Sequence, residues 1–519
     1  MRPRPTVVIG LDGATWRLLD SWIDGGELPM LEEIRSDSVW AEQRSCLPPV
    51  TSPNWKCYST GKNPGKLGVY WWEIVDVEAR EITIPDSSAY DSAELFDYLG
   101  DEGQTWAAVN MPTTFPPHGK DNNGVMISGG SAAEGRSFTS PPDLQNELES
   151  EFEYRVSPSK SIGEDGSIEE ILELIDARFE VAKWLLRDRD LDFLHLTVFL
   201  CNKLHHYFWD GEPTLEAWKR IDDHLRWFAD RDLDLVFMSD HGSNEIESEF
   251  QINVWLEEEG YLVREDDKKT ASKVGTELGI TQHQLSEFAG KLGIRDSLSR
   301  LLPDRLIDKL PKQGYKKEYK LDPIDWENTD AIASGQGLVY LTEPNAPDAD
   351  DLRNEIAEEL SELTDPITER PVARDVYLSE DIYSGSLEYA PDIVFDQAEG
   401  IHTEDNVGEY DLFSRPSDWR GENEPAGIFM AYGPSFRSTG QIDGTSILDL
   451  APTILHLRGV GIPRDIDGEV LDVFNPETEP AIADPTYRDS LPKPRRDGRV
   501  DENDMTDVKD QLRELGYLN

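Results

Sequence analysis

The feature that most constrains the fold is a regular alternation of apolar, strand-like runs with amphipathic segments through the first half of the chain. Apolar runs at residues 6–11, 105–110, 192–200 and 233–239 predict buried strands. Segments at 16–24, 30–35, 93–100, 168–187 and 215–229 carry apolar residues at helical spacing and predict helices. Strand–helix alternation is typical of parallel sheets, so we expect an α/β three-layer sandwich with a largely parallel central sheet flanked by helices.

The texture of the sequence changes in its second half. Residues 262–325 are polar and rich in lysine and predict an inserted, mostly helical cap. Strand-like sequence resumes near 331, 337–341 and 392–395, and the core closes with a strand at 427–431 and a helix at 446–458. We therefore expect an α/β core made of 1–261 and 326–475. A C-terminal tail at 476–519 follows, with a terminal helix over 505–515.

The chain is strongly acidic. Its 519 residues include 104 Asp and Glu against 50 Lys and Arg, which gives a formal net charge of −54. The acidic residues are spread along the whole chain, a pattern that favours a salt-adapted, halophilic surface over an acidic tail that binds cationic partners. A nucleic-acid-binding role is disfavoured, because no basic surface is offered to phosphates.

The cysteine count and the termini indicate the compartment. Three cysteines, Cys46, Cys57 and Cys201, argue against a disulfide framework. The first residues lack the hydrophobic region of a signal peptide, and no stretch reaches the roughly 18 apolar residues of a membrane span. We expect a cytoplasmic protein; the sequence does not indicate its oligomeric state.

Acidic and imidazole side chains directly follow two predicted strands. Asp240 and His241 come after the apolar run at 233–238, and Asp12 follows the run at 6–11. Open α/β sheets bind their ligands at the carboxyl ends of the strands. Carboxylates with a neutral imidazole suit zinc or a similar divalent ion, so the sequence predicts one metal site assembled by the fold. The alternative is that residues 239–242 (SDHG) form only a polar turn.

A turn at residues 47–55 leads into a helix, with Pro53 where a first helical turn tolerates proline. Thr51 would then lie at a helix N-terminus, an environment that attracts anions. A metal bound to its hydroxyl would lower the pKa of that group and make an alkoxide nucleophile accessible. The alternative is that Thr51 and Ser52 are simple N-caps.

Six short motifs occur in order, and together they resemble the alkaline phosphatase superfamily, in its type I phosphodiesterase/nucleotide pyrophosphatase branch. They are 10–13 (GLDG), 49–54 (PVTSPN), 60–65 (TGKNPG), 239–242 (SDHG), 253–256 (NVWL) and 449–455 (DLAPTIL). The resemblance covers roughly residues 5–475 and implies a two-metal phosphoryl-transfer site. In such enzymes a Thr or Ser attacks phosphorus, and water hydrolyses the resulting phospho-enzyme.

The resemblance also implies roles for individual residues. Thr51 would be the nucleophile, and Asn54 would bind a non-bridging phosphate oxygen. The metal that activates the nucleophile would be held by Asp12, Asp240 and His241 together with the Thr51 hydroxyl.

The sequence departs from the family at the second metal. His206 matches the histidine of the expected Asp-x-x-x-His pair, but Asn202 stands in place of the aspartate and Asn423 in place of a distant histidine. Two dications in such sites lie roughly 4 Å apart and need anionic ligands to offset their repulsion. Because this set supplies no charge, we expect the second metal to be weak or absent. Candidates to complete the site are His205, His402, Glu422 and Glu424, although His402 is alternatively an exposed loop histidine.

Three functions remain open. The sequence favours a metal-dependent phosphoesterase that hydrolyses phosphodiesters through a Thr phospho-enzyme and acts on a small phosphorylated substrate. The alternatives are a degenerate family member that binds a phosphorylated ligand without turnover, and a transferase in glycan or lipid assembly. Aromatic clusters at 70–72 and 207–209 flank the motifs and are interpreted as core or pocket wall, whereas His195 and Cys201 are interpreted as interior packing residues.

The charge generates a prediction about salt. Dialysis from molar salt to about 0.01 M lengthens the Debye length to roughly 30 Å, so the self-repulsion of the folded chain is no longer screened. We expect loss of cooperative structure, followed by circular dichroism during thermal melts across a salt series. Non-ionic sucrose should not substitute for the salt. A melting temperature that does not change with salt would contradict the halophilic interpretation.

Overall fold

A computed structural model describes residues 4–119, 122–130, 136–265, 321–494 and 508–509. The helices in these ranges are α1 (Trp16–Asp24), α2 (Pro29–Ser36), α3 (Thr51–Thr60), α4 (Pro64–Leu67), α5 (Leu95–Asp101), α6 (Leu144–Phe152), α7 (Ser167–Asp188), α8 (Leu200–Phe208), α9 (Glu212–Ala229), α10 (Ile252–Glu259), α11 (Ala349–Glu362), α12 (Ser379–Ile382), α13 (Leu450–Leu457) and α14 (Glu479–Ile482).

The strands in the same ranges form one large sheet and several small ones. They are β1 (Thr6–Leu11), β2 (Val39–Arg44), β3 (Ile74–Asp76), β4 (Glu81–Thr83), β5 (Trp106–Met111), β6 (Gly124–Ser128), β7 (Thr139–Ser140), β8 (Phe193–Val198), β9 (Asp234–Met238), β10 (Gly242–Glu245), β11 (Ser248–Gln251), β12 (Ala331–Ser334), β13 (Leu338–Leu341), β14 (Ala373–Leu378), β15 (Ile393–Gln397), β16 (Ile401–Glu404), β17 (Phe413–Ser414), β18 (Gly421–Glu424), β19 (Ala426–Tyr432), β20 (Gly440–Gln441), β21 (Thr445–Ser446), β22 (Ile462–Pro463) and β23 (Tyr487–Arg488).

The central sheet has the strand order β20-β2-β19-β9-β1-β8-β5-β6-β7, and β21 also pairs with β2. Its middle strands β9, β1, β8, β5 and β6 are mutually parallel, whereas β19 runs antiparallel to both of its neighbours. The expected largely parallel sheet is therefore confirmed, with antiparallel strands added toward its edges. All the residues of β1, β8 and β9 are buried, which is why these strands appear as continuous apolar runs in the sequence.

Helices cover both faces of this sheet and confirm the three-layer sandwich. Successive side chains of a strand point to opposite faces, and β1 shows the consequence directly. Val7 and Ile9 pack in one apolar cluster with α1, α2, α7 and α9. Val8 packs in another with α3, α5 and α13. The sequence-predicted helices match α1, α2, α5, α7 and α9 to within three residues at each end.

Close packing of α3 on β1 depends on a glycine. A Cβ atom on Gly10 would lie only 2.5 Å from the Trp55 ring, so a larger residue there would push α3 away from the sheet. This contact brings the start of α3 to the carboxyl end of β1, where the candidate site lies.

Parts of the second half differ from the sequence-based prediction. The predicted strand at 192–200 ends at Val198, because α8 begins at Leu200. The predicted helix at 446–458 is divided into a 3-10 turn (Ile447–Asp449) and α13. A separate antiparallel sheet, β12-β13-β15-β14, was not predicted as its own unit.

The predicted cap at 262–325 lies mostly outside the described residues. Its two described ends meet: the Glu265 amide donates to the Pro323 carbonyl at 2.8 Å, and the Asp325 amide donates to the Val263 carbonyl at 2.8 Å. A segment whose ends lie side by side can be inserted without disturbing the core, but the helical cap itself stays a prediction.

The tail is described to residue 494. Within it, β23 pairs with β22. Of the predicted helix at 505–515 only Val508 and Lys509 lie in the described ranges; both are helical and Val508 is buried. All three cysteines are free. None of the helices in the described ranges has the length and hydrophobicity that crossing a membrane requires.

A buried ion pair connects α3 to the start of α5 and generates a stability prediction. The Lys56 ammonium lies 2.8 Å from Glu94, and both side chains are 1 % exposed. Glu94→Gln leaves the lysine charge without this carboxylate, which should lower the free energy of unfolding by about 3–5 kcal/mol. The measurement is urea denaturation at constant molar salt. The control is Glu180→Gln. The Glu180 side chain that pairs with Lys183 is 46 % exposed, so water solvates its carboxylate and the pair should contribute about 0–1 kcal/mol. Equal losses in the two variants would contradict the prediction.

Candidate active site

The sheet places two carboxylates at one edge. β1 and β9 are parallel neighbours, with Gly10 opposite Met238, so the residues that follow each strand emerge side by side. Asp12 follows β1, and Asp240 and His241 follow β9. The structure thus brings together the three residues that the sequence predicted as metal ligands.

The geometry of these side chains is that of a compact, fully buried cluster. Asp12, Asp240 and His241 are each 0 % exposed, and one potential ligand atom from each lies within 4.8 Å of the others. The Nε2 atom of His241 is 3.7 Å from Asp12 Oδ1 and 3.3 Å from Asp240 Oδ2. Among the described residues, this is the one group of three or more His, Cys, Asp or Glu side chains whose geometry could hold a metal ion.

Each carboxylate in the cluster has one oxygen that is held and one that is not. The Trp55 indole donates to Asp12 Oδ2 at 2.9 Å, and the Gly13 amide lies 3.3 Å from Asp240 Oδ1. Asp12 Oδ1 and Asp240 Oδ2 are buried and have no hydrogen-bond partner within the protein. Unpaired buried carboxylate oxygens are costly, and two of them beside an imidazole nitrogen fit a divalent cation.

Electrostatics at the cluster agree with that fit. Burial and the neighbouring Asp240 raise the pKa of Asp12 well above its usual range, and burial raises the pKa of Asp240 to about 8. Burial lowers the pKa of His241, which favours the neutral imidazole that a metal requires. A bound cation would reverse the penalty on the two carboxylates.

Thr51 faces this cluster. Its Oγ1 atom lies 3.3 Å from His241 Nε2. Ser52, in contrast, contacts the Tyr90 hydroxyl at 2.7 Å and departs from helical geometry, with φ −103° and ψ 116°. The residue that precedes α3 is Val50, and no side chain makes a capping hydrogen bond there; the N-cap alternative for Thr51 and Ser52 stays a prediction.

Asn54 is fully buried, and its amide is engaged by the loop before α3. Its Oδ1 atom accepts from the Cys46 amide at 2.9 Å, and its Nδ2 atom donates to the carbonyls of Pro48 and Val50 at 2.9 Å. In this structure the side chain braces the loop that carries Thr51. A contact between Asn54 and a phosphate oxygen stays a prediction.

The second predicted set also comes together, as a neutral hydrogen-bonded trio. The Asn202 amide lies 3.2 Å from His206 Nε2 and 3.4 Å from Asn423 Oδ1. His206 Nδ1 lies 2.7 Å from the Gly421 carbonyl and therefore carries the proton. Burial lowers the pKa of His206 to about 4, so the imidazole is neutral. The trio supplies no charge to a cation.

The candidates to complete the second site differ in position. His205 accepts from the Trp218 indole at 3.0 Å and is a packing residue. His402 is not an exposed loop histidine: it lies on β16, between the carboxylates of Glu422 and Glu404. Although burial alone would lower the pKa of His402, these two carboxylates outweigh it and raise the pKa to about 10. Glu424 lies 3.9 Å from Arg374 instead of facing His206.

A cavity of about 290 Å³ lies beside these residues, and Val50, His206 and Asn423 are part of its wall. Trp71, Trp72 and Tyr207 also line it, which confirms the pocket-wall interpretation for parts of both aromatic clusters. Sequence reasoning missed the wall formed by 335–336, 403–405 and 417–419. These residues have no shared motif that could have identified them.

Two other residues have interior roles, as expected. His195 is buried, with Tyr58 and Thr197 hydroxyls 3.1 Å and 2.7 Å from its ring nitrogens. The Cys201 thiol donates to the Val198 carbonyl at 2.9 Å.

Comparisons with known proteins place the chain in a family. A model of the type I phosphodiesterase/nucleotide pyrophosphatase family matches residues 6–416. Murine ectonucleotide pyrophosphatase/phosphodiesterase 5 is 13 % identical, with a TM-score of 0.51 over 91 % of this chain and 100 % of that one. Phosphonoacetate hydrolase from Sinorhizobium meliloti 1021, in complex with phosphonoformate, is 15 % identical, with a TM-score of 0.54 over 86 % and 94 %. These identities show a shared fold. A search of curated proteins found no match.

Because the family model spans most of the 519 residues and the fold agrees with it, this chain belongs to the type I phosphodiesterase/nucleotide pyrophosphatase family of phosphoester hydrolases, within the alkaline phosphatase superfamily.

Proposed function

We propose that this protein hydrolyses phosphodiesters with Thr51 as its nucleophile and one firmly held divalent ion. The observation that carries the proposal is the position of the Thr51 hydroxyl, 3.3 Å from His241 and beside two carboxylate oxygens that lack partners. Zinc is the favoured ion, because two carboxylates and one imidazole suit it. When bound, the ion supplies the Lewis acidity that lowers the pKa of a coordinated hydroxyl.

The residues of the chain then have separate tasks. Oγ1 of Thr51 loses its proton and attacks phosphorus, and one alcohol of the diester leaves and takes up a proton. Water then releases the remaining phosphate monoester and restores the threonine hydroxyl. The Trp55 indole holds one oxygen of Asp12, and the Gly13 amide holds one oxygen of Asp240. The other oxygen of each carboxylate is thereby left directed at the cluster. Asn54 fixes the loop that carries Thr51.

The structural neighbours support a small ligand. The solved complexes include murine ectonucleotide pyrophosphatase/phosphodiesterase 5 with AMP and the phosphonoacetate hydrolase with phosphonoformate. We infer a small phosphorylated substrate here as well.

A second candidate function rests on the neutral trio. Asn202, His206 and Asn423 hydrogen-bond to one another, an arrangement that gives a leaving-group cation no charged ligand. If leaving-group stabilisation is lost, the protein binds a phosphorylated ligand without turnover. A transferase in glycan or lipid assembly would use the same Thr51 chemistry with an alcohol in place of water.

The nucleophile is tested by Thr51→Ala. Removal of Oγ1 should reduce kcat for bis-p-nitrophenyl phosphate by at least about 10³-fold, because a lost nucleophile removes the covalent step. Activity is assayed at molar salt with added zinc, and the fold is checked by circular dichroism. The matched control is Thr60→Ala in the same helix. The Thr60 hydroxyl donates a hydrogen bond to the Lys56 carbonyl, so its removal should leave the activity in place. Unchanged turnover in Thr51→Ala would exclude the nucleophile assignment; no turnover in the wild type with intact ligand binding would favour the binding protein.

Metal content is tested by equilibrium dialysis followed by elemental analysis. The Asp12, Asp240 and His241 cluster should hold close to one tight ion per chain, and Asp12→Asn should remove it. Asn202→Asp combined with Asn423→His should raise the count toward two, because it restores one negative charge and one nitrogen ligand. Two tight ions in the wild type would show that residues such as His402 or Glu422 complete a second site.

A further inference from the structure

The start of α3 contains a kink that sets the direction of the candidate nucleophile. Ser52, with φ −103° and ψ 116°, is the residue inside α3 whose backbone is not helical. Pro53 follows it, and a residue that precedes proline is disfavoured in the helical region. Thr51 lies on the far side of this kink from the rest of α3, so its direction depends on the backbone of Ser52 as well as on the helix.

The segment before Thr51 is held independently of the kink. Asn54 fixes the loop that leads into α3, and the Tyr383 hydroxyl donates to the Leu47 carbonyl of that loop at 2.9 Å. Neither of these contacts includes Ser52. The side of Thr51 that faces the kink therefore needs a separate support.

The Ser52 hydroxyl connects the kink to Tyr90. Ser52 Oγ lies 2.7 Å from the phenol oxygen of Tyr90, and both residues are buried. The Trp71 carbonyl, at 3.5 Å from Ser52 Oγ, is a much weaker acceptor for the same hydroxyl. Burial raises the pKa of Tyr90 above its ordinary value, so the phenol keeps its proton and the pair forms a neutral hydrogen bond.

Tyr90 is itself held firmly in place. Its ring packs in the buried apolar cluster that joins α3 to α5 and α13. The Lys56 ammonium lies 5.5 Å from the centre of the ring, and Lys56 is fixed in turn by its ion pair with Glu94. A side chain whose own conformation is fixed by packing can hold its neighbour in one geometry. The Tyr90 hydroxyl therefore ties Ser52 to a well-packed part of the core.

The position of the Thr51 hydroxyl depends on this support. Thr51 Oγ1 lies 3.3 Å from His241 Nε2, beside two carboxylate oxygens that lack partners. The extended region open to a residue before proline still spans about 40° in ψ, so Pro53 alone does not fix the direction of Thr51. A misplacement of about 1 Å can cost a reaction about 10²-fold in rate. A contact that fixes the backbone of Ser52 is therefore of direct consequence for the nucleophile.

We propose that Tyr90 is a positioning residue for the candidate nucleophile. Its hydroxyl holds the Ser52 hydroxyl, which fixes the kink at the start of α3 and keeps Thr51 Oγ1 directed at the metal cluster. The inference rests on the proposed role of Thr51 as nucleophile and adds a residue that acts on it through Ser52. The competing interpretation is that Tyr90 only stabilises the fold.

The test is Tyr90→Phe, which removes the hydroxyl and keeps the ring. For bis-p-nitrophenyl phosphate at molar salt with zinc, kcat and kcat/KM should both fall by about 10- to 100-fold while KM stays within about twofold, because lost alignment affects the transition state and not substrate binding. The matched control is Tyr58→Phe. It removes another buried phenol hydroxyl from the same cluster, one that lies 3.1 Å from His195, and should leave kcat/KM as in the wild type. An equal loss in both variants, or no loss in Tyr90→Phe, would overturn the proposal.

A second variant tests whether Tyr90 acts through Ser52. Ser52→Ala should lower kcat/KM about as much as Tyr90→Phe does, and the double variant should lose no more than either single one, because both changes break the same interaction. Losses that multiply in the double variant would show that the two hydroxyl groups act separately and would overturn the proposal. Ser52→Ala leaves Tyr90 in place, so it tests the same contact if Tyr90→Phe does not fold.

A structural measurement separates this inference from the proposed function. Crystal structures of the wild-type protein and of the two phenylalanine variants give the distance from Thr51 Oγ1 to His241 Nε2 without any need for turnover. This distance should lengthen by about 1 Å in Tyr90→Phe and stay unchanged in Tyr58→Phe. That displacement in a protein that hydrolyses no diester would support the positioning role and refute the phosphodiesterase. Turnover that depends on Thr51, with an unchanged distance in Tyr90→Phe, would do the reverse.

Discussion

Two fully buried carboxylates at the ends of adjacent parallel strands are the constraint on which the site depends. Burial raises the pKa of both Asp12 and Asp240, and the charge of Asp240 raises that of Asp12 further. Such a pair of buried carboxylates persists only if something compensates its charge. The parallel register of β1 with β9 fixes their separation, and the Trp55 indole fixes one of them from α3. The sheet, α3 and Thr51 are thus arranged around two buried carboxylates whose charge the proposed divalent cation would compensate.

The other half of the site is electrically neutral. Asn202, His206 and Asn423 satisfy one another without a net charge, and the negative charge of this region lies one layer away, on Glu422 and Glu404 around His402. A cation placed among the three residues of the trio would have only weak, neutral ligands. The neighbouring cavity, in contrast, is lined by carboxylates and indole rings. The two halves of the site therefore differ in electrostatics: the carboxylates of Asp12 and Asp240 face one half, and a neutral trio faces the other.

Local pattern was sufficient for β1, β5, β8, β9 and β19 of the central sheet and for the residues at its edge, because a buried parallel strand such as β1 is apolar throughout and its end is marked by the first polar side chain. It missed the other strands of that sheet, among them β2 and β6. It was insufficient where pairing is long-range. His402 looked like a loop residue because β16 is short, and its strand character comes from pairing with β11, about 150 residues earlier. Asn54 lies in a matched motif, yet its hydrogen bonds to Pro48 and Val50 depend on a loop conformation that spacing does not encode.

The acidity of the cavity requires an explanation separate from that of the whole chain. In a protein with a net charge of −54, carboxylates near any pocket are expected on composition alone. Several buried acids elsewhere in the described chain have a cation of their own, as Asp396 has Arg374 and Asp192 has Arg458, whereas Glu404 and Glu422 share a single histidine. Composition also gives no reason for two buried indole N–H groups to lack acceptors. Two carboxylates that converge on one imidazolium are therefore a local feature of the cavity wall, which the acidity of the whole chain does not account for.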